Sequence, residues 1–135
     1  MQAFAVKTSG RAEFIDITGS VQSAVTESGC GRGICVVHIP HTTAGVTINE
    51  NADPSVKADI LDWLEQAVPR RAGYRHAEGN SDAHIKASLM GPSLSLPVEG
   101  GRLVLGIWQS IYLCEFDGAR SRQVNVQVVP LGGIS

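Results

Sequence analysis

Short β-branched runs bounded by turn residues occupy both ends of this chain, and helical periodicity is confined to segments between them. That order constrains the fold more than any other feature. A doubly wound domain needs strands and helices to alternate, whereas strands at both ends with helices between them make an α+β domain. The expected architecture is a single domain over 1–135, with largely antiparallel β-sheets and two to three short helices. No repeat, low-complexity tract or linker divides it.

Ala3–Lys7 and Glu13–Ile17 read as strands around Ser9 and Gly10. Thr18–Ser28 reads as a short helix stopped by Gly29 and Gly31, and Ile34–Ile39 as a buried strand broken at Pro40. From His41 a period of two puts His41, Thr43, Gly45, Thr47 and Asn49 on one face and Thr42, Ala44, Val46 and Ile48 on the other. The second face is suited to the core; the first carries a histidine, hydroxyls and an amide. Asp53-Pro54 starts a helix, with Asp as cap and Pro at the first position. Val56, Ile60, Trp63, Leu64, Ala67 and Val68 form its apolar stripe, which assigns Trp63 to the core, and Pro69 ends it. Another helix runs from Ser81 to Met90 ahead of Gly91-Pro92. Ser93–Val98 and Arg102–Trp108 flank Glu99-Gly100-Gly101 as a hairpin, and Ile111–Phe116 and Gln123–Val129 follow. Val124, Val126 and Val128 alternate with Asn125 and Gln127, which predicts a sheet with one wetter face.

A formal net charge of -2 with scattered Lys and Arg gives no electrostatic case for nucleic acid or an anionic membrane. Neither a signal-peptide pattern nor an apolar run approaching ~18 residues is seen, and Cys30, Cys35 and Cys114 lack Cys-x-x-Cys spacing. The expectation is a cytoplasmic protein with free thiols.

Of the 4 histidines, His41, His76 and His84 lie in short acid- and amide-rich segments. Histidine is the commonest metal ligand and titrates near neutrality, so a metal site with an open position is one reading. The other is three hydrogen-bonded loop histidines brought together by nothing. Glu78, Asn80 and Asp82 supply carboxylates and an amide for support or proton transfer, and Glu50 stands between an apolar strand and a turn. Arg120 and Arg122 alternate with Ser121, so two guanidinium forks suit a phosphate; the alternative is a turn with salt bridges to Glu115 or Asp117. Lys86, close after His84, can join an anion site. His38 is set aside, because an offset of three from His41 turns it to the opposite side.

Taken together, His41-Thr42-Thr43-Ala44, Asn49-Glu50-Asn51-Ala52-Asp53, His76-Ala77-Glu78-Gly79-Asn80, Ala83-His84-Ile85-Lys86, Gly106-Ile107-Trp108-Gln109 and Glu115-Phe116-Asp117-Gly118-Ala119-Arg120-Ser121-Arg122 resemble the YjbQ-like family. Its members are described as secondary thiamine-phosphate synthase enzymes. The resemblance implies a small α+β domain assembled as a homotrimer or hexamer, with pockets at or near subunit contacts. It implies that His41, His76 and His84 gather around a metal or an anion. On this reading Glu50 or Glu78 is the acid/base, and Thr43, Asn49, Asn51, Asn80, Lys86, Trp108, Gln109, Arg120 and Arg122 contact a small phosphorylated or anionic substrate. Three neutral histidines favour zinc or another transition metal, whereas magnesium on diphosphate prefers carboxylates and water. The alternatives are a non-catalytic trimeric metal- or anion-binding module and a metal-dependent hydrolase of a small phosphorylated substrate. Ile107 stands where the family often has threonine, and Ala119 where it often has proline.

Overall fold

Alternating apolar residues resolve into two antiparallel sheets, as seen in a computed structural model that describes residues 1–132. The elements are β1 (Gln2–Lys7), β2 (Glu13–Asp16), α1 (Thr18–Ser28), β3 (Arg32–His38), β4 (Ala44–Glu50), α2 (Pro54–Ala67), α3 (Ser81–Met90), β5 (Ser93–Glu99), β6 (Arg102–Leu103), β7 (Gln109–Glu115) and β8 (Ser121–Pro130). The larger sheet has the order β1-β8-β3-β5-β6 and the smaller β2-β7-β4. The fold is therefore α+β, with three helices among the described residues.

Two cores follow from the two faces of the smaller sheet. Ile111 and Leu113 of β7 join Val46, Cys35, Val37, Leu96, Val98, Val124 and Val126 between the sheets, where Val21 and Val25 of α1 also pack. Tyr112 and Cys114 point the other way, into a cluster with Phe14, Phe116, Leu64 of α2, and Ala83 and Ala87 of α3. β7 is thus covered on both sides. The larger sheet has one wet face as expected, with Gln123 and Gln127 exposed, although Asn125 is buried.

The polar face predicted for the strand after Pro40 is not open. β4 begins at Ala44, so His41–Thr43 precede it, and Gly45 is buried beneath α3. A Cβ there would stand 2.8 Å from the Gly91 carbonyl oxygen and 2.9 Å from Met90 Cβ. Glycine lets the end of α3 lie directly on the strand. Trp63 is not core: it is 63% exposed, because α2 buries a stripe centred on Leu64 with Ile60 and Leu61 partly covered. Trp63 lies about 100° round the helix from Leu64. Asp53 does cap α2, accepting from Ser55 N–H at 2.9 Å. Of the expected strand Arg102–Trp108 only Arg102–Leu103 pairs. The chain then bends where Gln109 N–H donates to the Gly106 carbonyl and Gly106 N–H to Gln109 Oε1.

The three cysteines are free and buried, and burial pushes the Cys35 thiol up to about 11 and that of Cys114 higher. Among the described residues no helix is long and apolar enough to cross a membrane.

Candidate functional site

The segment before β4, the loop into α3, α3 itself and the β7–β8 turn surround an open cleft of about 510 Å³. Pro40, His41, Thr42 and Thr43 form one side, and His76, Glu78, Asn80 and His84 another. Asp117, Arg120 and Arg122 close the third. The three singled-out histidines, far apart in sequence, therefore border one concavity.

Beneath it lies a buried ion pair. Arg122 donates through Nε to Glu115 Oε2 at 2.8 Å and through Nη2 to Glu115 Oε1, and Nη2 also reaches Thr43 Oγ1 at 2.8 Å. Glu115 Oε1 accepts the backbone N–H groups of Phe116 and Asp117 as well, and Thr8 Oγ1 donates to Oε2. Burial alone would raise the Glu115 pKa; the Arg122, Asp117 and Thr8 hydrogen bonds outweigh it and hold the carboxyl below its ordinary value. Arg122 is committed to framing the cleft. Arg120 is half exposed and donates to the Asp117 carbonyl and carboxylate, which leaves further N–H groups for a ligand. Asp117 also accepts from Asn80 Nδ2 at 2.9 Å, while Asn80 Oδ1 is buried without a protein partner.

His41 is oriented by β8. Its Nε2 accepts the Gln123 backbone N–H at 2.8 Å, so a proton on the neutral ring sits on Nδ1. Burial lowers its pKa, and the Arg122 charge lowers it further. His76 and His84 meet edge to face with centroids 5.5 Å apart, and Glu78 Oε2 stands 3.7 Å from His76 Nε2. Among the described residues no group of three or more His, Cys, Asp or Glu stands together as a metal would require. With the His41 Nε2 lone pair engaged, the three imidazoles do not form a closed ligand set in this geometry.

The remaining residues singled out from sequence lie elsewhere. Asn49, Glu50, Asn51, Trp108 and Gln109 gather at the far ends of β4 and β7, where Glu50 pairs with Gln109 and Asn51 Nδ2 donates to the Gln109 carbonyl. At ~3.3 Å per residue the length of β4 puts them roughly 20 Å from the cleft within one chain. Lys86 is 2% exposed and bonds Asp82 and Glu65 at 2.9 and 2.8 Å, and it does not line the cleft. Asp82 is likewise buried. Three cleft residues are not singled out by the sequence pattern: Pro40, which reads only as a strand breaker, Thr42 and Asp117. Thr42 was placed on an apolar strand face although the strand starts later, and Asp117 was weighed only as a salt-bridge partner.

A model of the family described as UPF0047 protein YjbQ-like matches residues 2–131. A UPF0047 protein of Methanocaldococcus jannaschii is 49% identical over 93% of this chain and 91% of its own length. UPF0047 protein YugU of Bacillus subtilis is 46% identical over 96% and 98%. A crystal structure of an uncharacterized conserved protein of this family from Clostridium acetobutylicum superposes with a TM-score of 0.94 at 54% identity, covering 96% of this chain and all (100%) of that one. A protein of unknown function from Sulfolobus solfataricus gives 0.92 at 32% identity, over 96% and 95%.

Proposed function

The chain belongs to the UPF0047 YjbQ-like family, and we propose that within it this protein is a small enzyme that binds a phosphorylated substrate in the histidine cleft. The observation that carries this reading is that His41, His76 and His84 border one concavity with Arg120 and Asn80. Imidazoles, a guanidinium and an amide are a set that can hold phosphate oxygens and move protons.

The candidate reaction is thiamine-phosphate synthesis. The C–O bond from the pyrimidine methylene to diphosphate breaks, and the thiazole ring nitrogen forms the new C–N bond. Diphosphate leaves with the C–O electron pair. Negative charge grows on the departing oxygen, and N–H donors on His76, His84 and Arg120 are the groups suited to meet it. Glu78, close to His76, is the acid/base candidate inside the cleft. Glu50, Asn49, Asn51, Trp108 and Gln109 take part only if a neighbouring copy brings that end to the cleft, which is the role we assign to a homotrimer or hexamer.

A divalent metal is the second reading; it rests on the nearness of His76, His84 and Glu78, which would have to close further to meet as ligands. Zinc or another transition metal fits imidazole donors better than magnesium does, and His41 can add only Nδ1. Metal-dependent hydrolysis, or binding without turnover, would use the same side chains.

Calorimetric titration with inorganic phosphate and diphosphate, alongside metal content of untagged protein and a synthase assay, tests the reading. Expected are binding of diphosphate and a loss of at least ~100-fold in turnover for His76→Ala and His84→Ala. Anion binding without turnover would favour the non-catalytic module. Wild-type protein that binds neither anion would sink the phosphate reading, and metal lost from both folded variants would install the metal one.

A further inference from the structure

Two walls of the cleft, α3 with Asn80 and His84 and the β7–β8 turn with Asp117 and Arg120, come from segments that are far apart in sequence. One direct hydrogen bond spans them, from Asn80 Nδ2 to Asp117. A third segment, the turn between β1 and β2, touches both. Arg11 donates from Nη1 and Nη2 to the two oxygens of Asp82, each at 3.1 Å, in the first turn of α3. Its backbone carbonyl accepts the Gly118 N–H at 3.0 Å, next to Asp117.

The contacts around this residue are tight on both sides. The Asp82 side chain is fully buried, and burial that would raise its pKa is outweighed by the Arg11 and Lys86 hydrogen bonds, which hold it below the ordinary value. A Cβ on Gly118 would stand 2.2 Å from the Gly10 carbonyl oxygen, so the β1–β2 turn lies directly under the cleft's third wall. Arg11 Nε is buried with no protein partner. Arg11 itself does not line the cleft.

We propose that Arg11 and Asp82 are positioning residues: their two-pronged pairing fixes the start of α3 against the Asp117–Arg120 turn and so sets the spacing of His84 and Asn80 from Arg120, and of His84 from His76 on the loop that enters α3. The effect on ligand binding rests on the phosphate reading above; the effect on the histidine pair does not. A planar fork holds two oxygens at once, whereas an ammonium holds a point, so lysine keeps the charge and loses the orientation.

The test is Arg11→Lys, with Lys86→Met as control. The first readout is the imidazole proton shifts of His76 and His84 by NMR, displaced in wild type by the ring currents of their edge-to-face contact. The second is inorganic phosphate affinity. Arg11→Lys is expected to fold with a melting temperature near wild type, to shift both rings toward free-histidine positions, and to weaken phosphate about 10-fold. Lys86→Met removes the second cation from Asp82 Oδ2 while leaving the Arg11 fork in place, so it should lower stability and leave ring shifts and affinity within about two-fold. Should Arg11→Lys not fold, Asp82→Asn, which keeps one acceptor, is read the same way. Unchanged ring shifts in a folded fork variant, or equal changes in the Lys86→Met control, overturn the proposal. Wild-type protein that ignores phosphate while the rings respond as expected removes the phosphate reading and leaves the positioning role standing.

Discussion

His41 is kept neutral by its surroundings, since burial and the Arg122 charge lower its pKa and the Gln123 N–H occupies Nε2. In the unfolded chain the same ring takes a proton near its ordinary value of 6.5, and in the folded chain only at lower pH. The unfolded state therefore binds more protons in that interval. His41 contributes stability that is fully present above pH 6.5 and lost as pH falls through the folded value. Urea unfolding at several pH values should show the decline starting below about 6.5, ahead of the acid losses from Glu115 and Asp82. In His41→Gln that first decline should vanish; an unchanged slope would assign it to another group. At Gly118 the constraint is steric. Gly118→Ala drives a methyl into the Gly10 carbonyl, and thermal unfolding should register a loss of ~1–3 kcal/mol, the usual range for overpacking.

Between elements, the Arg122–Glu115 pair fastens β8 to β7 and, through Thr43, to the segment entering β4. Arg122→Met should cost ~3–5 kcal/mol by denaturant unfolding, because it strands a buried carboxylate. Adding Glu115→Leu should recover much of that. A single variant that lost no more than a surface pair's ~0–1 kcal/mol would show that water reaches the carboxylate. The same region shows what the sequence made legible. The C-terminal ends of Thr18–Ser28 and Ser81–Met90 are legible because Gly29 and Gly91 follow them, whereas the starts are not: Ser20 looks like a cap, but α1 begins at Thr18 after Ile17 with no side-chain cap. Trp63 misleads because Val56, Ile60, Trp63, Leu64 and Ala67 span more of α2 than one helix face can bury, and periodicity does not say which edge of the stripe stays wet. The convergence of His41, His76 and His84 could be suspected from composition alone, but Lys86 could not be told from a ligand. Asp82 is its i,i+4 neighbour on α3, a pairing local spacing does show, but the second partner, Glu65, comes from α2, and the packing of two helices that buries the ammonium is recorded in no local pattern.

At the scale of the molecule, the residues that the family resemblance groups into one site divide between opposite ends of β4. The histidine cleft is at one end; Glu50, Asn51 and Trp108 are at the other. That second end is also where Ile107 is 82% and Trp108 59% exposed, side by side on a loop outside both sheets. A large apolar pair next to a carboxylate and amides has the composition of an interface centre with a polar rim. If the two groups act together, contact between copies is the way to join them, and a head-to-tail contact that closes on itself gives a ring. Light scattering coupled to size exclusion should report a mass of three or six chains. Trp108→Asp should shift it toward the monomer and, if the Glu50 end completes the cleft, reduce diphosphate affinity although residue 108 lies roughly 20 Å away in the same chain. A monomer that binds diphosphate fully would confine the site to the histidine cleft and leave the Glu50 cluster to be explained as the cap and turn that precede α2.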